Sequence, residues 1–302
     1  MKKIGWIGTG IMGGSMCRRL QEAGYELSVY TRSREKAEAL LSAGATWCDT
    51  PREVAKRSEC VFTMVGYPAD VEEVILGDQG VLAGFADTAT DGASENAPVL
   101  VDMTTSKPAL AEEIAREAAA QGVGALDAPV SGGDVGAREG TLAIMVGGEK
   151  SVYDRVLPLF EVMGKTIRLM GPAGAGQHTK MVNQVLVAGG MVGAVEALLY
   201  AARAGLDLDE VISVVGKGAA GSWTINNLGP RIAKGNMEPG FMIRHLVKDM
   251  EIALDEARRL GISLPGLGLI NQFYHAAIAE GLDRKGTQAL YRVYQRLNGI
   301  EP

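Results

Sequence analysis

The 302-residue sequence contains only three cysteines, Cys17, Cys48 and Cys60, and three histidines, His178, His245 and His275. The cysteines cannot all pair and lack metal-ligand spacing, and the scattered histidines suggest no zinc cluster. No block of basic residues occurs, and the formal charge of −6 is spread along the chain. That balance disfavours attraction to nucleic acid or to an anionic membrane. A signal-peptide pattern is missing too, because strand-like apolar residues lead straight into a glycine turn. The expectation is a reduced, cytoplasmic setting with no nucleic acid, no membrane and no metal. One run, 185–202, is almost wholly apolar, but Glu196 interrupts it and small residues fill it. A buried central helix explains it better than a bilayer span.

What the chain does have is glycine, 40 residues of it, and an ordinary 47% hydrophobic content. That composition suffices for a sizeable core, and the length for two domains. Short apolar runs at 3–7, 27–30, 60–65, 99–102 and 126–128 read as strands. Helical patterns fall between them at 11–23, 34–43 and 108–121. Thr50-Pro51-Arg52-Glu53 reads as a helix start, with Thr50 as cap and Glu53 completing a capping box. The polar tract 87–98 reads as a surface loop. After Gly171-Pro172 long helical patterns dominate, at 178–204, 208–215, 243–260 and 266–297. The pattern predicts an α/β chain. Residues 1–172 form a Rossmann-type doubly wound sheet, and 173–302 an all-α domain whose first, long helix runs between the domains.

Gly8-Thr9-Gly10-Ile11-Met12-Gly13 follows the first strand and opens the first helix. Alone, G-x-G-x-x-G is a weak signal; in this context it predicts a dinucleotide pyrophosphate site. The first glycine permits the turn, the second lets the phosphates approach, and the third packs helix on strand. Amides from Ile11 and Met12 then face the phosphates. At the end of the second strand, Thr31-Arg32-Ser33 offers a guanidinium and two hydroxyls where an NAD-preferring site often has an acid. NADP(H) is favoured, with NAD(H) second; the competing reading makes Arg32 and Arg34 solvated loop charges.

Further motifs make the chain resemble the β-hydroxyacid dehydrogenase family. They are 7–16 (IGTGIMGGSM), 127–133 (DAPVSGG), 174–184 (GAGQHTKMVNQ) and Lys248-Asp249. This family includes 3-hydroxyisobutyrate dehydrogenases, tartronate semialdehyde (2-hydroxy-3-oxopropionate) reductases and glyoxylate/succinic semialdehyde reductases. The resemblance spans nearly the whole chain. It implies that Ser131, Gly132 and Gly133 hold a substrate carboxylate and that Lys180 is the catalytic lysine. An ammonium group can protonate a carbonyl oxygen during reduction, and the amine can take the proton back. An unperturbed lysine, with a pKa of about 10.4, is a poor base at neutral pH, so its site must lower it.

Asn183 and Gln184 follow Lys180 by three and four residues and share its helix face. They are read as substrate contacts, or alternatively as polar packing groups. Val65 and Gly66 stand where the family places a cofactor-contacting segment, although Gly66 replaces its usual proline. Thr105 matches a hydroxyl near the nicotinamide, and Lys248 a lysine reaching the site from the helical domain. The implied reaction is hydride transfer between NADP(H) and a small carboxylate-bearing substrate, a β-hydroxyacid or its semialdehyde. The chain is expected to act as a homodimer or homotetramer. A longer-chain 6-phosphogluconate dehydrogenase is disfavoured by Met181-Val182 before Asn183, and an imine reductase by the presence of Lys180. The remaining alternative is a catalytically silent NADP-binding protein of the same fold.

Overall fold

A computed structural model describes residues 1–88 and 97–300. Most of the loop expected over 87–98 lies outside them. The chain divides into two compact units, Met1–Lys180 and Met181–Pro302. The division falls within the helix Ala175–Arg203.

The first unit holds the strands β1 (Lys3–Ile7), β2 (Glu26–Tyr30), β3 (Thr46–Trp47), β4 (Cys60–Thr63), β5 (Val99–Asp102) and β6 (Gly124–Asp127). It also holds β7 (Val130–Ser131), β8 (Leu142–Gly148) and β9 (Gly164–Gly171). The sheet order is β3-β2-β1-β4-β5-β6-β8-β7, with β9 paired to β8. From β3 to β6 every pairing is parallel, as the alternation of strands and helices requires. β8 runs antiparallel to β6 and β7 but parallel to β9.

Strand periodicity explains the two-sided core. Ile4 and Trp6 of β1, Phe62 of β4 and Val101 of β5 enter one apolar cluster, with Leu20 and Phe160 from covering helices. Ile7, Val61 and Leu100 point the other way, against Val54, Ile75 and Ile114. Trp6 stacks on Phe62 at 5.4 Å between ring centroids, and Phe160 meets Phe62 edge-on at 6.2 Å. All three cysteines are buried and free, and burial pushes the Cys17 and Cys60 thiols well up. They serve as packing groups.

Several element boundaries differ from the sequence reading for local reasons. The helix expected over 34–43 is a 3-10 turn, Arg34–Ala37, followed by a short α-helix, Glu38–Ser42. Thr50 does cap the helix Pro51–Lys56 by accepting from the Glu53 amide at 3.1 Å. The Glu53 carboxylate, however, reaches back one residue further, to the Asp49 amide. The strand at 60 stops at Thr63, because the Val65 amide turns away to donate to Thr104 Oγ1.

The second unit is helical, its core including Met191, Leu198, Leu246, Met250 and Tyr274. Its final pattern is two helices, Pro265–Ala279 and Leu290–Leu297, parted by a turn at Gly281, where φ is +76°. The 29-residue helix Ala175–Arg203 is long and apolar enough, by length and composition, to cross a membrane. Only 39% of its most apolar stretch is buried, less than a central helix leads one to expect. Val182, Leu186 and Tyr200 are exposed, while Glu196 accepts a hydrogen bond from Tyr294.

Candidate active site

The glycine loop joins β1 to the helix Ile11–Glu22 at the point where strand order reverses, with β2 on one side of β1 and β4 on the other. Ligands of such sheets bind at that crevice. Gly8 has φ +93°, and a Cβ there would lie 2.2 Å from the Met64 carbonyl oxygen. Gly13 packs so closely that a Cβ would lie 2.0 Å from the Gly8 carbonyl oxygen. Trp6 Nε1 donates to that same oxygen at 3.0 Å, fixing the turn from below. Gly10 is different: a Cβ there would meet nothing within 4 Å. The space over it stays open for a ligand. No side chain caps the helix, and its first turn carries no acid, so its leading amides remain available to an anion. These features fit a dinucleotide pyrophosphate.

The Gly8 amide donates to the Tyr30 carbonyl at 2.8 Å, which sets the end of β2 beside the loop. There Thr31 is buried, Ser33 half-buried and Arg32 exposed. Arg32 Nη1 meets Asp70 Oδ1 at 3.0 Å. Beyond β4, Val65 and Gly66 are half-buried next to the glycine loop. The Val65 amide is engaged by Thr104, so a dinucleotide contact from Val65 must use its carbonyl or side chain. Thr105 is half-buried one residue further along.

Lys180 is 7% exposed, and its Nζ donates to the Val130 carbonyl at 2.9 Å. That carbonyl immediately precedes Ser131, Gly132 and Gly133. Gly132 and Gly133 are exposed, with φ of +136° and +64°, a pair of left-handed conformations that side chains resist. The catalytic and carboxylate-binding candidates of the first unit therefore sit together.

The sequence reading missed three residues that place Lys180. Asp127 accepts from the amides of Gly174 and Gln177, each at 2.8 Å, and so holds the first turn of the lysine's helix. Gln177 donates to the Thr104 carbonyl at 2.7 Å and accepts from the Ser106 amide at 2.9 Å. Gly176 lets this turn lie against β6, since a Cβ would stand 2.6 Å from the Asp127 carbonyl oxygen. The available signal was a carboxylate at the end of an otherwise apolar strand, Leu126-Asp127-Ala128, which demands buried partners.

Asp102, the register neighbour of Asp127, is buried and accepts from Thr63 Oγ1 at 2.6 Å and the Thr104 amide at 3.0 Å. Burial pushes its pKa up to about 6, with those hydrogen bonds opposing. A folded pKa above the ordinary carboxylate value means the native state holds the proton more tightly. Its contribution to stability is therefore present at low pH and is lost as pH rises through about 4 to 6. Asp102→Asn keeps the accepting oxygen and removes the charge. Urea unfolding should show the variant gaining on the wild type by up to about 3 kcal/mol between pH 4 and 7. A pH-independent difference would contradict the raised pKa.

Within the second unit, three predicted site residues are joined into one chain of contacts through Asp249. Asn183 Nδ2 donates to Gln184 Oε1 at 2.7 Å, and Gln184 Nε2 donates to Asp249 Oδ2 at 2.6 Å. Asp249 Oδ1 lies 3.1 Å from Lys248 Nζ. The buried carboxylate thus holds both an amide and an ammonium. His245, stacked on Phe241 at 6.4 Å, has its pKa held below the ordinary value by burial first and Lys248 next. Trp223 is 65% exposed and is not a core residue.

Comparison with known proteins gives the family of the chain. Residues 3–171 match the family described as the NAD binding domain of 6-phosphogluconate dehydrogenase. Residues 174–294 match the NAD-binding family of NADP-dependent 3-hydroxyisobutyrate dehydrogenase. The chain is 47% identical to a probable 3-hydroxyisobutyrate dehydrogenase-like 1 of Arabidopsis thaliana, over 99% of this chain and 86% of that one. It is 39% identical to the 2-hydroxy-3-oxopropionate reductase of Escherichia coli, over 97% of each. Among solved structures, 3-hydroxyisobutyrate dehydrogenase from Salmonella typhimurium superposes with a TM-score of 0.85 at 27% identity, covering 97% of this chain and 100% of that one. Psf3 in complex with NADP+ and 2-OPP gives a TM-score of 0.85 at 26% identity, covering 96% and 99%. The chain belongs to the β-hydroxyacid dehydrogenase family.

Proposed function

We propose that the chain is an NADP(H)-dependent oxidoreductase that interconverts a small β-hydroxyacid and its semialdehyde, with NAD(H) as the weaker cofactor. The reaction is of the 3-hydroxyisobutyrate dehydrogenase or 2-hydroxy-3-oxopropionate reductase type, on the strength of the names its relatives carry. The observation that carries the reading is Lys180, buried and bonded to the carbonyl that leads into Ser131-Gly132-Gly133. When bound, the nicotinamide exchanges a hydride with the substrate carbon.

Lys180 gives a proton to the carbonyl oxygen in reduction and takes one from the hydroxyl in oxidation. The Ser131 hydroxyl and the amides of Gly132 and Gly133 hold the substrate carboxylate. Gly8, Gly10, Ile11, Met12 and Gly13 seat the pyrophosphate, Thr31, Arg32 and Ser33 the 2′-phosphate, and Val65, Gly66 and Thr105 the remainder of the cofactor. In the second unit, Asn183 and Gln184 are assigned to substrate and Lys248 to cofactor. Exposed Leu186 and Tyr200 favour a homodimer or homotetramer, and three free cysteines favour the cytoplasm.

The test is a panel of small semialdehydes and β-hydroxyacids, followed by nicotinamide absorbance with NADPH and with NADH. Turnover is expected on carboxylate-bearing members and not on their methyl esters. Tight NADPH binding without turnover on any member would mark a silent binding protein instead.

A further inference from the structure

Resting on the assignment of Arg32 to the 2′-phosphate, we infer that Asp70 restrains the preference for NADP(H) over NAD(H). Asp70 stands in the first turn of the helix Pro68–Leu76. Its Oδ2 accepts from the Tyr67 amide at 3.1 Å, so the carboxylate is fixed as part of a helix cap. Its Oδ1 meets Arg32 Nη1 at 3.0 Å. The two partners differ in freedom: the Asp70 side chain is 18% exposed, that of Arg32 76%. Asp70 is thus the anchored member and Arg32 the one that can move. Arg34, the other guanidinium at this end of β2, lies over the Trp47 ring at 5.1 Å and is committed elsewhere.

A 2′-phosphate carries a charge of about −1.5 to −2 at neutral pH. Bound to Arg32, it must share that guanidinium with a carboxylate that cannot retreat. It also lies well within the roughly 8–10 Å over which charges act in physiological salt. Both effects weaken NADP(H). Neither acts on NAD(H), whose 2′-hydroxyl is neutral. The carboxylate that caps the helix therefore narrows the gap between the two cofactors and keeps NAD(H) usable.

The experiment titrates the full chain with NADPH and with NADH, following the quenching of tryptophan fluorescence. Asp70→Asn retains an oxygen for the Tyr67 amide and removes the charge. Its NADPH dissociation constant should fall about three- to fivefold, the scale of one partly exposed charge interaction. Its NADH constant should stay within about twofold of wild type. Asp70→Ser, also with an accepting oxygen, must move NADPH in the same direction, which guards against a defect peculiar to one variant. In Arg32→Gln the NADPH constant should rise about tenfold while NADH holds. If Arg32→Gln weakens NADPH selectively and the Asp70 variants fail to tighten it, the inference is wrong and the Arg32 assignment stands. If Arg32→Gln leaves NADPH unchanged, both fall.

Discussion

Lys180→Ala is expected to lower kcat by about 10² to 10⁴ while leaving NADPH binding within about twofold of the wild type. The lysine is buried, and its Nζ is bonded to the Val130 carbonyl, so the side chain is held at one place beside Ser131. Removing it deletes the proposed proton donor without touching the glycine loop. Stopped-flow mixing with NADPH and a semialdehyde separates the two effects: cofactor fluorescence should change as usual, and the absorbance decay that reports reduction should nearly vanish. Lys180→Arg should be almost as slow, since a guanidinium keeps its proton at any accessible pH. Added methylamine should restore part of the lost rate in the alanine variant. Near wild-type turnover in Lys180→Ala would end the assignment of this residue and of the mechanism built on it.

The second large effect separates binding from folding. Gly10→Ala should unfold at the wild-type temperature yet lose NADPH affinity by at least about tenfold. The backbone at Gly10 has φ −67°, which alanine adopts freely, and its Cβ would meet no protein atom within 4 Å. What it would occupy is the opening through which, on the proposed reading, a pyrophosphate reaches the helix amides. Losing one or two charge-assisted hydrogen bonds costs about 1.5–3 kcal/mol each. Gly13→Ala makes the contrast, because its Cβ would strike the Gly8 carbonyl at 2.0 Å. That variant should lose stability by about 1–3 kcal/mol as well as affinity. A Gly10→Ala protein that binds NADPH normally would place the pyrophosphate elsewhere.

Much of the first unit was legible because its central strands are buried on both faces and read as unbroken apolar runs. β1, β2, β4, β5 and β6 were each anticipated to within a few residues. β3 has two residues, and β8, Leu-Ala-Ile-Met-Val-Gly-Gly, ends in glycines whose strand state depends on its neighbours. β3 is too short to carry a periodic signal, whereas the apolar run 142–146 of β8 is a strand signal that the runs named from the sequence omit. The reversal of direction at β8 is a different matter, because sequence patterning cannot express it. In the second unit, the helix expected over 266–297 is broken at Glu280-Gly281-Leu282-Asp283-Arg284-Lys285-Gly286, a polar tract with two glycines that is itself a turn signal. Leu282 and Ala289 still supply core side chains there.

The site divides along similar lines. The glycine loop, Arg32, Ser131-Gly132-Gly133 and Lys180 could be proposed from the sequence, because close backbone approach and charge chemistry restrict which residue types can serve. The partners that fix them could not. Asp127 looks like any strand-end carboxylate until Gly174 and Gln177 bring their amides to it, 47 and 50 residues on. Asp70 looks like a solvated helix-start acid until the fold sets it against Arg32, 38 residues earlier. Local sequence determined which groups are candidates for the chemistry, through backbone freedom, charge and periodicity. Tertiary structure alone decided which of them are buried, paired or held in place, because desolvation and charge pairing depend on distance in space and not along the chain.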